Sequence, residues 1–144
     1  MKILVLISHV PDTTARIGFT NDNTQYDSNG VTFIVNPYDE WYALVRGLEL
    51  KEALGGTLTT ITVGGPETDP TIRKALAIGA DDAVRVDAQP TESYAVAAQV
   101  AAYAKDKAYD LILTGKETID HNGSQVGPMS VSYTHLTLPT SDLV

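Results

Sequence analysis

Four short runs of strand character, separated mostly by stretches of helical spacing, constrain this chain more than any other feature. The runs are Lys2 to Ser8, Leu58 to Val63, Ala83 to Val86 and Leu111 to Thr114. The first is continuously apolar, as a strand buried on both faces of a parallel sheet must be, and the second and third are rich in β-branched residues. Strands alternating with helical patterns predict an α/β fold, a Rossmann-like doubly wound parallel sheet with right-handed crossovers. Sheets of that kind bind ligands beyond the carboxyl ends of their strands, where the strand order reverses. The ends to inspect are therefore Ser8-His9, Val63-Gly64-Gly65, Val86-Asp87 and Thr114-Gly115.

The last of these is the most informative. Asp110-Leu-Ile-Leu-Thr-Gly-Lys-Glu-Thr-Ile-Asp-His-Asn-Gly-Ser-Gln-Val-Gly127 reads as a buried strand, a glycine turn at Gly115, a polar loop, and a helix start at Gly123-Ser124. Unpaired N–H groups and the positive end of a helix dipole attract phosphate, so a nucleotide is the ligand to look for here. Such a strand end also serves as a plain connection in many α/β proteins. Neither GxxxxGK[ST] nor GxGxxG occurs, so the familiar phosphate-loop and dinucleotide fingerprints are absent.

Between the first two strands lies a polar excursion from Ala15 to Val35, with apolar islands at Ile17-Gly-Phe19 and Val31 to Val35 and a turn signal at Asn29-Gly30. Some β character is expected there. A helix follows: Asn36 suits the cap, Pro37 the first helical position, and Asp39 and Glu40 the acidic first turn. Trp41, Leu44, Val45 and Leu48 form the expected buried stripe, and Gly55-Gly56 ends the element. Asn36 would start at the same sheet edge as Gly115, which leaves capping and ligand contact both open. Further helices are expected from Asp69-Pro70 to Gly79 and, capped by Thr91 or Ser93, to about Lys105 or Lys107.

Length and charge exclude several classes. With 144 residues and 43% hydrophobic content, one globular domain is expected. A net charge of −8 with ten scattered Lys and Arg argues against a nucleic-acid surface. The chain has no Cys for disulfides or thiolate metal sites, and His9, His121 and His135 lack paired ligand spacing. No run approaches the roughly 18 apolar residues of a membrane span. The apolar run Ile3 to Ile7 is too short for a signal peptide, and a cytoplasmic address is expected.

Three words in order make the chain resemble the β subunit of electron transfer flavoprotein. They are Asn36-Pro-Tyr-Asp-Glu40 with Leu50-Lys-Glu52, then Thr71-Ile-Arg-Lys-Ala-Leu-Ala-Ile-Gly-Ala-Asp81, then Gly115-Lys-Glu-Thr-Ile-Asp120 with Gln125 and Gly127. The resemblance implies an adenine-nucleotide-binding α/β domain related to the universal stress proteins. It implies a heterodimer with an α subunit that holds most of the redox FAD, while the β subunit holds AMP or, in bifurcating members, a second FAD. It further implies an electron carrier without bond-making chemistry of its own, taking electrons from acyl-CoA-type dehydrogenases of fatty acid oxidation to a quinone oxidoreductase and the quinone pool. Carried over residue by residue, the nucleotide contacts implied are Leu6, Asn36, Pro37, Tyr38, Asp39, Gly64 and the loop Gly115, Lys116, Glu117, Thr118, Ile119, Asp120, His121, Asn122, Gly123, Ser124 and Gln125. Ser8-His9 replaces residues that are often basic in the family, and His121-Asn-Gly-Ser124 a loop that is often more acidic, so AMP and FAD both stay open. A free-standing ATP-binding stress domain is the alternative, although the Asn36-Pro and Thr71-Ile-Arg words are not its signature.

After Met129 the text changes character. Ser130-Val-Ser-Tyr-Thr-His-Leu-Thr-Leu-Pro-Thr140 resembles a translated transposase end sequence of the kind used in DNA library preparation. The expected division is thus a partial nucleotide-binding domain over residues 1–129, lacking the last strands of its sheet, and an artefactual, disordered tail over 130–144. A natural polar tail of this composition would be disordered as well. An open sheet edge left by the missing strands predicts an aggregation-prone chain.

Overall fold

The structure, a computed structural model, describes residues 1–134. Its elements in chain order are β1 (Lys2–Leu6), β2 (His9–Pro11), β3 (Phe19–Thr20), β4 (Gln25–Tyr26), β5 (Phe33–Val35), α1 (Asp39–Leu54), β6 (Thr57–Val63), a 3-10 turn (Pro66–Thr68), α2 (Asp69–Ile78), β7 (Asp82–Val86), α3 (Ser93–Ala104), β8 (Leu111–Leu113) and α4 (Val126–Thr134). The main sheet has the order β7, β6, β1, β8, with every neighbouring pair parallel. The chain moves outward from β1 through β6 to β7 and then returns to the other side of β1. Strand order therefore reverses at β1, which makes this the Rossmann-like doubly wound fold expected from the alternation of strands and helices.

Alternation along β1 builds two cores at once, because successive side chains leave a strand on opposite faces. Ile3, Val5 and Ile7 pack with Ala43 and Leu44 of α1 and Ala75 of α2. Leu4 and Leu6 pack with Val100 and Ala104 of α3, and Val126 of α4 joins that side. Ile3, Leu4 and Val5 are completely buried. No helix among the described residues is long and apolar enough to cross a membrane.

The excursion after β1 has the β character expected. β2 pairs antiparallel with β5, and β3 with β4. The β3–β4 hairpin turns through Asn21, Asp22 and Asn23, all with positive φ. Asn29-Gly30 makes a separate turn, in which Val31 N–H donates to the Ser28 carbonyl at 3.2 Å.

Four expectations about the helices are corrected. The face of α1 that meets the sheet is Glu40, Ala43, Leu44 and Gly47, and Trp41 is 36% exposed. The reason is Gly47: a Cβ there would lie 2.7 Å from Leu58 Cδ1 and 3.1 Å from Val5 Cγ2, so the helix sits closest where its side chains are smallest. Asn36 does not cap α1, since Tyr38, with φ of 62°, precedes the first helical residue and no side chain caps it. Glu92 rather than Thr91 or Ser93 precedes α3, again without a side-chain cap bond. The boundary expected after Met129 falls inside α4, so residues 130–134 are helical rather than disordered. Ser130 is buried there and donates through its hydroxyl to the Val126 carbonyl at 2.7 Å. Residues 135–144, His135 among them, lie outside the described residues.

Two of the sequence words meet in space. Lys51 Nζ bonds the Gly79 carbonyl at 2.9 Å and Asp81 Oδ1 at 2.7 Å, while Asp81 Oδ2 accepts from Leu58 N–H at 2.7 Å. Asp81 thereby ties the end of α1 to the start of β6, and the lysine with the strand amide holds its carboxyl below the usual range. Asp81→Ala is expected to cost about 2 kcal/mol, because the charged pair is lost and the Leu58 amide loses its acceptor. Urea denaturation of parent and variant reads this directly, and a difference under about 0.5 kcal/mol would remove Asp81 from the account of stability.

In β6 the Thr60 hydroxyl is buried and has no hydrogen-bond partner among the described residues. Thr60→Val keeps the shape and removes the stranded group, and an increase of about 1 kcal/mol is expected in the same assay. A decrease would show that a buried water satisfies the hydroxyl.

Candidate functional site

A cleft of about 440 Å³ opens at the carboxyl ends of β1, β6 and β8, within the roughly 300 to 1,000 Å³ range of small-molecule sites. Its apolar surface comes from Leu6, Ile61, Val63, Val96 and Val100, and its polar side from residues 114–118 and 123–125 of the loop after β8. The start of α3 at Ser93 and the start of α4 at Val126 both border it. α4 begins two residues beyond Ser124, which has φ of 50° and so turns away from the helical path expected of it.

The residues singled out from sequence divide into two groups. Leu6, Gly64, Gly115, Lys116, Glu117, Thr118, Asp120, His121, Gly123, Ser124 and Gln125 border the cleft. Asn36, Pro37, Tyr38, Asp39, Ile119 and Asn122 do not.

Asn36 instead holds the loop from behind. Its side chain is fully buried, its Nδ2 donates to the Glu117 carbonyl at 3.0 Å, and its Oδ1 accepts from Ile119 N–H at 2.9 Å. Asp39 Oδ2 accepts from Glu117 N–H at 3.3 Å. The Asn36-Pro-Tyr-Asp39 word and the Gly115 to Asp120 word are thus two halves of one joint across 81 residues of sequence. Tyr38 is 62% exposed, and its carbonyl accepts from Tyr42 N–H at 2.7 Å.

Gly115 is needed for the same joint. A Cβ at this position would lie 2.6 Å from Glu40 Cγ and 2.9 Å from Glu40 N, so the close approach it permits is that of α1. Gly115 thus borders the cleft and at the same time lets α1 pack against the loop. Gly64 likewise admits Thr68, whose Cγ2 would stand 2.6 Å from a Cβ.

Within the loop, Ser124 Oγ donates to Glu117 Oε2 at 2.6 Å, and Lys116 Nζ stands 3.3 Å from Glu117 Oε1. The Ser124 hydroxyl, then Lys116, hold the Glu117 carboxyl below its ordinary range. His121 is mostly exposed, with Nε2 3.7 Å from Asp120 Oδ2. Asn122, in the left-handed region at φ 51°, donates its N–H to the Thr118 carbonyl at 2.9 Å and rounds the loop off.

Two cleft residues have surroundings that the sequence did not reveal. Glu40 is 7% exposed, and its carboxylate accepts from Ser8 N–H at 2.6 Å and Ser8 Oγ at 2.8 Å. Burial, reinforced by Asp120 and Asp39 of like sign and opposed by the Ser8 bonds, pushes its carboxyl up to about 7. As one of two acids in a helical first turn it resembled an ordinary dipole partner, and only its position opposite Ser8 distinguishes it. His9 stacks on Phe33 at 4.4 Å and shares a 2.8 Å hydrogen bond with Thr71 Oγ1. Burial lowers its pKa, with Glu67 acting in the opposite sense.

The Electron transfer flavoprotein domain family matches residues 24–137. The chain belongs to that family. It is 39% identical over 132 residues to electron transfer flavoprotein subunit beta of Bacillus subtilis (strain 168), covering 89% of this chain and 50% of that protein. It is 39% identical over 135 residues to Protein FixA of Azotobacter vinelandii, with 89% and 47% covered. Acryloyl-CoA reductase electron transfer subunit gamma of Anaerotignum propionicum is 31% identical over 134 residues, with 89% and 49% covered. The chain therefore spans about half the length of these electron transfer flavoprotein relatives. Family membership accords with the three words quoted from the sequence, two pairs of which the structure joins through Asn36 and through Lys51.

Proposed function

We propose that this chain is the nucleotide-binding part of an electron transfer flavoprotein β subunit, holding AMP or a second FAD in the cleft at the carboxyl ends of β1, β6 and β8. The observation that carries the reading is the placement of that cleft at the strand-order reversal, bordered by the loop from 114 to 127 and the starts of two helices. An α subunit would share the redox FAD, and the heterodimer would carry electrons from acyl-CoA-type dehydrogenases to a quinone oxidoreductase. The subunit would act as a carrier and make no bonds alone.

The charges around the cleft favour this reading over a free-standing ATP-binding stress domain. Glu40, Glu67, Glu92, Glu117 and Asp120 border it, against Lys116 as its lysine. A triphosphate would place more negative charge among these carboxylates than AMP does. The test is coexpression with an electron transfer flavoprotein α subunit, followed by heat extraction and nucleotide analysis. A yellow complex, formed only when both chains are present, with AMP or FAD in the extract supports the proposal. A colourless pair with no flavin refutes it.

The segment from Ser130 onward is proposed to be foreign to the family, although the family match reaches residue 137. DNA sequenced across the codons for Gly127 to Val131, from a library prepared without a transposase, should then continue in family sequence past Met129. An unchanged reading through Val144 would establish the tail as encoded.

A further inference from the structure

Ser8 and Glu40 stand together in the wall of the cleft, and their geometry does more than hold β1 against α1. Both residues border the cleft, and the carboxylate takes both donors that Ser8 offers, its N–H and its hydroxyl. An ionised Glu40 therefore presents negative charge to any anionic ligand and also keeps the Ser8 hydroxyl turned away from it.

The surroundings do not neutralise that charge. Asp39 on the same helix and Asp120 on the facing loop are of like sign. From the same loop, Lys116 is paired with Glu117, and His121 lies beside Asp120. On the β1 side, His9 bonds Thr71, and Glu67 acts on His9 from the turn after β6. Among the described residues, no cation thus stands between Glu40 and an incoming phosphate.

We infer that the Ser8–Glu40 pair couples ligand binding to protonation: a phosphate-bearing nucleotide entering the cleft draws one proton from solvent onto Glu40, and Ser8 redirects its hydroxyl from Glu40 to the ligand. The step balances. The proton joins Glu40 Oε1, the new O–H donates to Ser8 Oγ, and the Ser8 O–H, freed from the carboxylate, donates to a ligand oxygen, while Ser8 N–H stays on Oε2. Glu40 is then a positioning residue acting through Ser8. The inference rests on the nucleotide reading of the cleft and adds to it a specific proton and a specific donor.

The test is isothermal titration of the full chain with AMP at pH 6 and pH 8, each in two buffers of different ionisation heat, for the parent, Glu40→Gln and Ser8→Ala. The AMP phosphate itself titrates near pH 6, but that contribution is common to all three chains. At pH 8, though hardly at pH 6 where Glu40 is already mostly protonated, the parent should take up a proton on binding, beyond the uptake of Glu40→Gln. Its affinity should fall about tenfold more than that of Glu40→Gln between the two pH values, following the protonated fraction of a group that titrates near 7. Ser8→Ala should keep the proton uptake and bind about fivefold more weakly at pH 6, having lost one hydrogen bond to the ligand.

Equal uptake and equal pH dependence in parent and Glu40→Gln would overturn the inference and leave the nucleotide reading intact. Absence of AMP binding at both pH values would overturn both. If Glu40→Gln does not fold, the parent and Ser8→Ala still decide: Ser8→Ala binding AMP as tightly as the parent at pH 6 refutes the redirected hydroxyl.

Discussion

Asn36→Ala is expected to lower the melting temperature by about 10 °C, corresponding to about 3 kcal/mol in a domain of this size. The side chain is wholly buried and makes two hydrogen bonds to the loop, one to the Glu117 carbonyl and one from Ile119 N–H. Truncation leaves both backbone groups without partners and opens a small void, and each stranded group costs about 1 to 3 kcal/mol. Hydrogen exchange should show the loop from 115 to 125 opening before the sheet does, because Asn36 and Asp39 are what bind it to the start of α1. Asn36→Asp sharpens the test. It keeps the acceptor for Ile119 but sets a carboxylate against the Glu117 carbonyl, so it should be at least as damaging near pH 7 and recover as acid protonates the new side chain. A melting temperature within about 2 °C of the parent for Asn36→Ala would show that the joint is not what holds the loop.

Glu40→Gln is expected to abolish a fall in stability that the parent shows between about pH 4.5 and 7. The folded carboxyl titrates at about 7 against an ordinary 4.5. Below 4.5 both folded and unfolded chains carry the proton, and above 7 neither does. Within that window only the folded chain holds it, so stability decreases as pH rises and the loss totals about 3 kcal/mol. His9 acts in the opposite sense: its lowered pKa means stability gained with rising pH up to 6.5. Asp12, Asp81 and Glu117, all lowered, also gain stability with rising pH, on the acid side of the ordinary carboxyl range. The parent-minus-variant difference isolates Glu40 from these. Gln retains an oxygen for Ser8 N–H and offers its amide to Ser8 Oγ, so the variant should equal or exceed the parent in stability at pH 8. Thermal melts of both chains from pH 4 to 8 provide the measurement. Parallel curves would place Glu40 in a wetter environment than its burial implies.

Both results concern the joint between the start of α1 and the loop after β8, and that joint shows how far the sequence could be read. Strand and helix alternation was legible because it is a one-dimensional pattern: Lys2 to Ser8, Leu58 to Val63, Ala83 to Val86 and Leu111 to Thr114 overlap the four strands of the main sheet. The strand ends pointed to the cleft for a general reason, since a doubly wound sheet leaves its crevice beyond the carboxyl ends of the strands. The family words were legible as text, and Gly115, Gln125 and Leu6 do border that cleft.

What lay outside the sequence is pairing between distant residues. Asn36 was read from its neighbours as a helix cap or a ligand contact, yet its partners are Glu117 and Ile119. Trp41 follows helical spacing with Leu44, but the rotation of α1 is set by how closely Gly47 lets it approach Leu58 and Val5. Glu40 and Asp39 are adjacent acids in one helical turn with different fates. Asp39 reaches the loop backbone, while Glu40 turns inward to Ser8, is buried, and becomes hard to ionise. By itself the sequence determined the order of elements, the class of the sheet and the edge where the cleft lies, because periodicity and turn chemistry are local. Only the tertiary structure decided which polar side chains face that cleft and which hold the wall behind it, because burial and hydrogen-bond partnership depend on residues that the chain brings together from far apart.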